Sequence, residues 1–163
     1  YAQAGYKTLL IDGDMRKPTQ HYFFNIDNNS GLSSLTINKA TYSEAIKETK
    51  VDNLGILTAG PNPPNPSELI ASNNFKEIYN ELLENYDFIV IDTPPINTVT
   101  DAQIYARTIG NCALVIDAEK NNRNEVKKAK ALITKSGGKL LGAILNKMPL
   151  DKSSSYYYYY GDE

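Results

Sequence analysis

The stretch LLIDGDMRKP, Leu9 to Pro18, decides the reading of this chain. An apolar run ends in Asp12, and Asp14 and Arg16 follow at alternate positions. A second stretch, FIVIDTPP at Phe88 to Pro95, runs into Asp92 in the same way. A carboxylate that closes an apolar strand does not fill a core. In open parallel sheets, ligands bind at the carboxyl ends of the strands, so both acids are expected on that edge.

Outward from these two stretches, short apolar runs alternate with amphipathic ones. Strands are predicted at Thr8 to Ile11, Leu54 to Thr58, Phe88 to Ile91, Ala113 to Ile116 and Leu140 to Leu145. Each is apolar on both faces, as buried parallel strands are. From Ser67 to Tyr86, Phe75, Ile78, Tyr79, Leu82, Leu83 and Tyr86 recur at helical spacing, with Ser67 as the expected N-cap. Helices are also predicted over Thr100 to Ile109, stopping at Gly110, and Arg123 to Ser136, stopping at Gly137 and Gly138. Repeated strand and helix mean an α/β fold, a mostly parallel sheet with helices on both faces. GPNPPNPSE, Gly60 to Glu68, reads as a stiff loop, and His21 as a loop histidine without a catalytic role. YAQAGY reads as the last turn of a helix capped by Gly5, so earlier residues are expected. Residues 1–148 form the expected domain and residues 149–163 a flexible tyrosine-rich tail.

The 163 residues suffice for one domain with its own core. A net charge of -2 argues against a general nucleic-acid footprint. The single cysteine, Cys112, has no partner for an internal disulfide and is expected in the core. The apolar runs are far shorter than the roughly 18 residues a membrane helix needs, and no signal peptide is visible.

The acids suggest a division of labour. A hydrated magnesium ion takes a few carboxylates plus phosphate oxygens. Of two acids spaced Asp-x-Asp beside such an ion, one can accept a hydroxyl proton while the other supports the metal. Arg16 can brace phosphate oxygens or pair with an acid. The plainer alternative is a solvated loop with a local Arg–Asp pair.

LLIDGDMRKP resembles the Walker A′ motif of the bacterial tyrosine kinases, and FIVIDTPP their Walker B. The five consecutive tyrosines, Tyr156, Tyr157, Tyr158, Tyr159 and Tyr160, resemble their autophosphorylation cluster. GAILNK, Gly142 to Lys147, is similar to the last core strand of the wider MinD/ParA-type P-loop ATPases. The resemblance implies a P-loop NTPase-like fold and ATP and Mg2+ as cofactors. It implies that Asp12 is the base for the tyrosine proton, with Asp14 the other candidate. Asp12, Asp14 and Asp92 would be magnesium ligands, Arg16 would sit beside the acceptor tyrosine or the phosphate, and Asn146 would contact adenine. Tyr156 to Tyr160 would accept phosphate. The implied setting is the inner face of the cell membrane, in the cytoplasm. There a transmembrane activator, a polysaccharide co-polymerase subunit, would hold the kinase. A homo-oligomeric ring, each tail in the neighbouring active site, would regulate capsular polysaccharide synthesis and export.

One departure from the family is large. The Gly-rich loop with Gly-Lys-Ser/Thr, which supplies backbone N–H groups and a lysine to the phosphates, is nowhere in the sequence. That loop and the central strand before it belong upstream of Tyr1, and without them no competent ATPase is expected. The strand, or space for it, is expected between the strands ending at Asp12 and Asp92. Two rival readings are a MinD/ParA-type positioning ATPase, which has no use for a tyrosine tail, and a non-catalytic interaction module.

Overall fold

Leu9 and Ile11 are fully buried at the centre of a four-stranded sheet. The structure, a computed structural model, describes residues 1–148. The predicted tail and its tyrosines lie outside the described residues. Strand β1 (Thr8–Asp12) pairs in parallel with β3 (Leu54–Leu57) on one side and β4 (Phe88–Asp92) on the other. A short strand, β2 (Ile46–Glu48), runs antiparallel to β3 and closes that edge, giving the order β2-β3-β1-β4. Sequence reasoning passed over β2, because IKE is too short to show a period.

Strands β5 (Asn111–Asp117) and β6 (Lys139–Asn146) form a separate parallel ladder, with Asp117 opposite Asn146. No ladder joins β4 to β5 among the described residues. The expected slot between the strands ending at Asp12 and Asp92 does not exist. Those strands are direct neighbours, and Asp12 lies opposite Asp92. The interruption in the sheet falls on the other side of β4. Val90 at that edge is 46% exposed, and Val115 and Ile144 on the second ladder are 59% and 56% exposed. These three strands, read as apolar on both faces, therefore leave apolar side chains uncovered, although Ile89 and Ile91 of β4 pack against the core.

Among the described residues, seven α-helices connect the strands: α1 (Gln20–Phe24), α2 (Leu32–Thr36), α3 (Tyr42–Ala45), α4 (Pro66–Ala71), α5 (Asn73–Asn85), α6 (Asp101–Ile109) and α7 (Arg123–Lys135). The single helix predicted from Ser67 breaks at Ser72, whose hydroxyl accepts from the Phe75 N–H and starts α5 afresh. Pro66 occupies the first turn of α4, where its missing N–H costs nothing, and Asn65 takes the cap position expected for Ser67. Asn122 and Glu125 form a reciprocal capping box at the start of α7. Gly5 holds a left-handed φ of 91° after a single 3-10 turn, Ala2–Ala4. His21 lies in α1 rather than in a loop, its ring 3.9 Å from that of Tyr22. Phe75 of α5 meets Tyr105 of α6 edge-on at 5.5 Å, beneath β1. Cys112 is a free thiol, partly buried rather than in the core.

Candidate active site at the carboxyl edge of the sheet

Asp12 is the last residue of β1 and is fully buried. Its carboxylate organises the loop that follows it. Oδ1 accepts from the Asp14 N–H at 3.2 Å, and Oδ2 accepts from the N–H groups of Thr19 and Gln20, both at 3.0 Å. The sequence explains this shape: Gly13 lets the chain turn at the strand end. A Cβ on Gly13 would stand 2.7 Å from the Asp92 carbonyl oxygen and 2.8 Å from Ile91 Cγ2. The Gly13 N–H donates to that carbonyl at 2.7 Å, and the buried Tyr105 hydroxyl donates to the Gly13 carbonyl at 3.2 Å.

Asp92, directly across the ladder, is exposed and accepts from Gln20 Nε2 at 2.7 Å. Asp14 is half-buried, and its Oδ1 accepts from the N–H groups of Arg16 and Lys17 at 3.1 and 3.0 Å. Burial pushes the Asp12 carboxyl above its ordinary range. The three backbone donors oppose that rise, and the Asp92 charge adds to it. A carboxyl poised upward is better suited to take a proton near neutral pH.

Arg16 does not point at these acids. Its Nε donates to Asp101 Oδ2 at 2.7 Å and its Nη2 to Asp101 Oδ1 at 3.0 Å. Nη2 also reaches the Ser67 hydroxyl at 3.1 Å, and that hydroxyl donates to Asp101 Oδ1 at 2.6 Å. The guanidinium therefore clamps the loop after β1 to the starts of α4 and α6. Burial pushes the Asp101 carboxyl up, but the hydrogen bonds from Arg16 and Ser67 and the guanidinium charge outweigh it and hold it below the usual range.

Asn146 ends β6 on the second ladder, where its Oδ1 accepts from the Lys147 N–H at 2.8 Å. No hydrogen bond ties it to the three aspartates. Gln20, Ser67, Asp101 and Tyr105 carry the geometry of the site and were missed from sequence. Of these only Asp101 gave a signal, an acid in the first turn of a helix, and that alone reads as a helix-dipole partner.

The oxygen-only donor set fits a hard cation such as magnesium, which is held through one or two carboxylates and phosphate oxygens. Asp14 Oδ2 and Asp92 Oδ1 accept no hydrogen bond among the described residues. No group of three or more acidic, histidine or cysteine side chains is placed to hold a metal alone among them.

Known proteins share this sequence and this geometry. Residues 1–122 match the AAA domain family model. The chain is 77% identical over 163 residues to a Staphylococcus aureus protein named as a tyrosine-protein kinase, CapB, spanning 100% of this chain and 72% of that one. Among solved structures, the chimerical protein CapA2B2 is 60% identical with a TM-score of 0.89, over 91% of this chain and 66% of that chain. The cell division ATPase MinD of Pyrococcus furiosus is 24% identical with a TM-score of 0.75, over 93% of this chain and 63% of that chain, a likeness of fold.

Proposed function

Because this chain belongs to the bacterial tyrosine-protein kinases, on a P-loop NTPase-like α/β fold, we propose that it carries the acid half of a MgATP-dependent kinase site. Its substrate is the tail, Tyr156 to Tyr160, and its process is capsular polysaccharide synthesis. The observation that supports this most is the register pair Asp12 and Asp92 at one sheet edge, with Asp12 held above its usual pKa.

In the proposed reaction Asp12 takes the proton from a tail tyrosine hydroxyl. Its Oδ1, with a single long hydrogen bond, is the oxygen with room for that proton, once the loop over it yields. The phenolic oxygen forms a bond to the γ-phosphorus of ATP. The bond from that phosphorus to the bridging oxygen breaks, and its electron pair leaves on ADP. Asp14 and Asp92 would hold magnesium through their unengaged oxygens, and the ion would offset charge on the phosphates. Arg16 acts as a positioning residue through Asp101. Asn146 is kept as the adenine contact by resemblance alone.

The phosphate-gripping loop of the family is not in this sequence. The unpaired edges of β4 and β5 are where a strand leading into such a loop would pair. The proposed activator is a membrane-embedded partner, and the chimerical make-up of CapA2B2 supports a second component beside the kinase. No helix of the described residues is long and apolar enough to cross a membrane. The proposed assembly is a ring in which tails enter neighbouring sites and phosphate repulsion ends the docking.

The test is phosphate transfer from labelled ATP in the protein completed with a phosphate-binding segment and activator. Incorporation should fall to background in Asp12→Ala and Asp14→Ala. Replacing all five tail tyrosines with phenylalanine should remove most of it. Unchanged incorporation in both aspartate variants sinks the reading.

A further inference from the structure

Helix α7 carries a feature that this function leaves unused. Between Glu119 and Lys139 the chain holds seven lysines and arginines against two glutamates, an excess of five positive charges in a protein whose net charge is -2. Lys127, Lys128, Lys130 and Lys135 are all exposed on α7, whose buried stripe is Ala129 and Ile133. None of the four takes part in an ion pair or a side-chain hydrogen bond among the described residues. A helix side this basic, with no acid to meet it, is an electrostatic surface without its complement.

The described residues end at the sheet edge from which α7 departs. Asp117 and Asn146 are opposite each other at the ends of β5 and β6. Lys147 Nζ pairs with Asp117 at 2.7 Å. From Asp117 the chain turns through residues 118–122 into Arg123, the first residue of α7. The end of β6 and the turn into α7 thus lie at the same edge. Eight chain steps, with seven intervening residues, lead from Met148 to Tyr156. Extended, they reach roughly 28 Å. Helix α7, with 13 residues, is about 20 Å long. The tyrosines can therefore reach any turn of their own α7.

We propose that the phosphorylated tail docks in cis on the basic side of α7 in its own chain. This rests on the reading of Tyr156 to Tyr160 as phosphate acceptors and adds where the tail goes after release from a neighbour. Each phosphate brings about -1.5 to -2 charges and three acceptor oxygens, which ammonium groups complement. Unphosphorylated tyrosine brings neither, so the surface tells the modified tail from the unmodified one. The tether favours this occupant over an anionic lipid surface, because the tail is held at high effective concentration. Docked tails would be kept from neighbouring active sites and shielded from phosphatases.

The test does not need the chain's own kinase activity. A synthetic tail carrying phosphotyrosine at positions 156, 158 and 160 is ligated to the rest of the chain. Lysine acetylation rates are then read by mass spectrometry. Lys127, Lys128, Lys130 and Lys135 should react about fivefold more slowly than with an unphosphorylated tail. Lys50 and Lys76, exposed elsewhere, should not change. The protection should be independent of protein concentration and fade in 0.5 M salt. Replacing the four lysines with glutamine should speed tail dephosphorylation by an added tyrosine phosphatase by about the same factor. Equal acetylation rates with both tails overturn the proposal, as does protection that grows with protein concentration. Protection of the unphosphorylated chain by phosphatidylserine vesicles, with none from the phosphotyrosine tail, gives the surface to a membrane and also overturns it.

Discussion

Arg16 and Asp101 meet through two parallel hydrogen bonds, 2.7 and 3.0 Å long, although 85 residues separate them. Asp101 is fully buried, while the Arg16 side chain is 40% exposed. The pair ties the loop after β1 to α6, and so ties the acids of the site to the helix that bridges the two ladders. Two-point recognition of this kind needs a guanidinium fork, which lysine lacks.

Arg16→Ala should lower stability by about 2 kcal/mol, because it strands a buried carboxylate with only Ser67 as donor. Arg16→Lys should recover part of that and little of the activity. Urea unfolding paired with phosphate incorporation checks both. Equal activity in the lysine variant and the parent would remove the positioning role.

The same pair sets an acid limit. The Asp101 carboxyl is depressed in the folded protein, so its stabilisation is present above the unfolded value of about 3.9 and lost as pH falls through the lower folded value. Arg16→Ala should flatten stability against pH in that low window and leave the slope near neutrality unchanged. Thermal melts across the range read this directly.

Asp12 titrates the other way. Its carboxyl is raised by burial and by the Asp92 charge, so any folding stability linked to it is present at low pH and lost as pH rises through the raised value. Asp92→Asn should move the Asp12 titration downward, and a carboxyl-carbon NMR titration should show it. If Asp12 is the base, the acid limb of the phosphorylation rate should follow its raised pKa.

A strand-end carboxylate fills no core, which by itself would let Asp12→Ala and Asp14→Ala leave the fold intact. For Asp12 the geometry says otherwise. Removing it leaves the N–H groups of Asp14, Thr19 and Gln20 without their acceptor. The variant should lose about 1–3 kcal/mol, so its activity must be compared at matched folded fraction. Asp14→Ala should cost less, since the donors from Arg16 and Lys17 are exposed to water.

Gly13→Ala should damage the site from behind. Its methyl group would press on the Asp92 carbonyl and Ile91, forcing β1 and β4 apart at the pair of acids. A loss of about 1–3 kcal/mol is expected, with activity falling further than the folded fraction. Chemical denaturation and labelled phosphate transfer, measured together, separate the two effects.

The sequence by itself determined the alternation of strands and helices, the two strand-end aspartates and the family. Runs such as LLID and FIVID announce their own structure because apolar periodicity and terminating acids are local signals. It also shows that no Gly-Lys-Ser/Thr loop lies within these 163 residues, since that motif is contiguous. Only the tertiary structure decided which strands are neighbours. Two strands that each end in an acid look alike whether adjacent or one apart, and here direct pairing put Asp12 opposite Asp92 and moved the break in the sheet to the far side of β4. It also decided the partner of Arg16. A guanidinium can satisfy itself on any nearby acid or phosphate, and the choice of Asp101 follows from the packing of α4 and α6 against the loop, which no local pattern encodes.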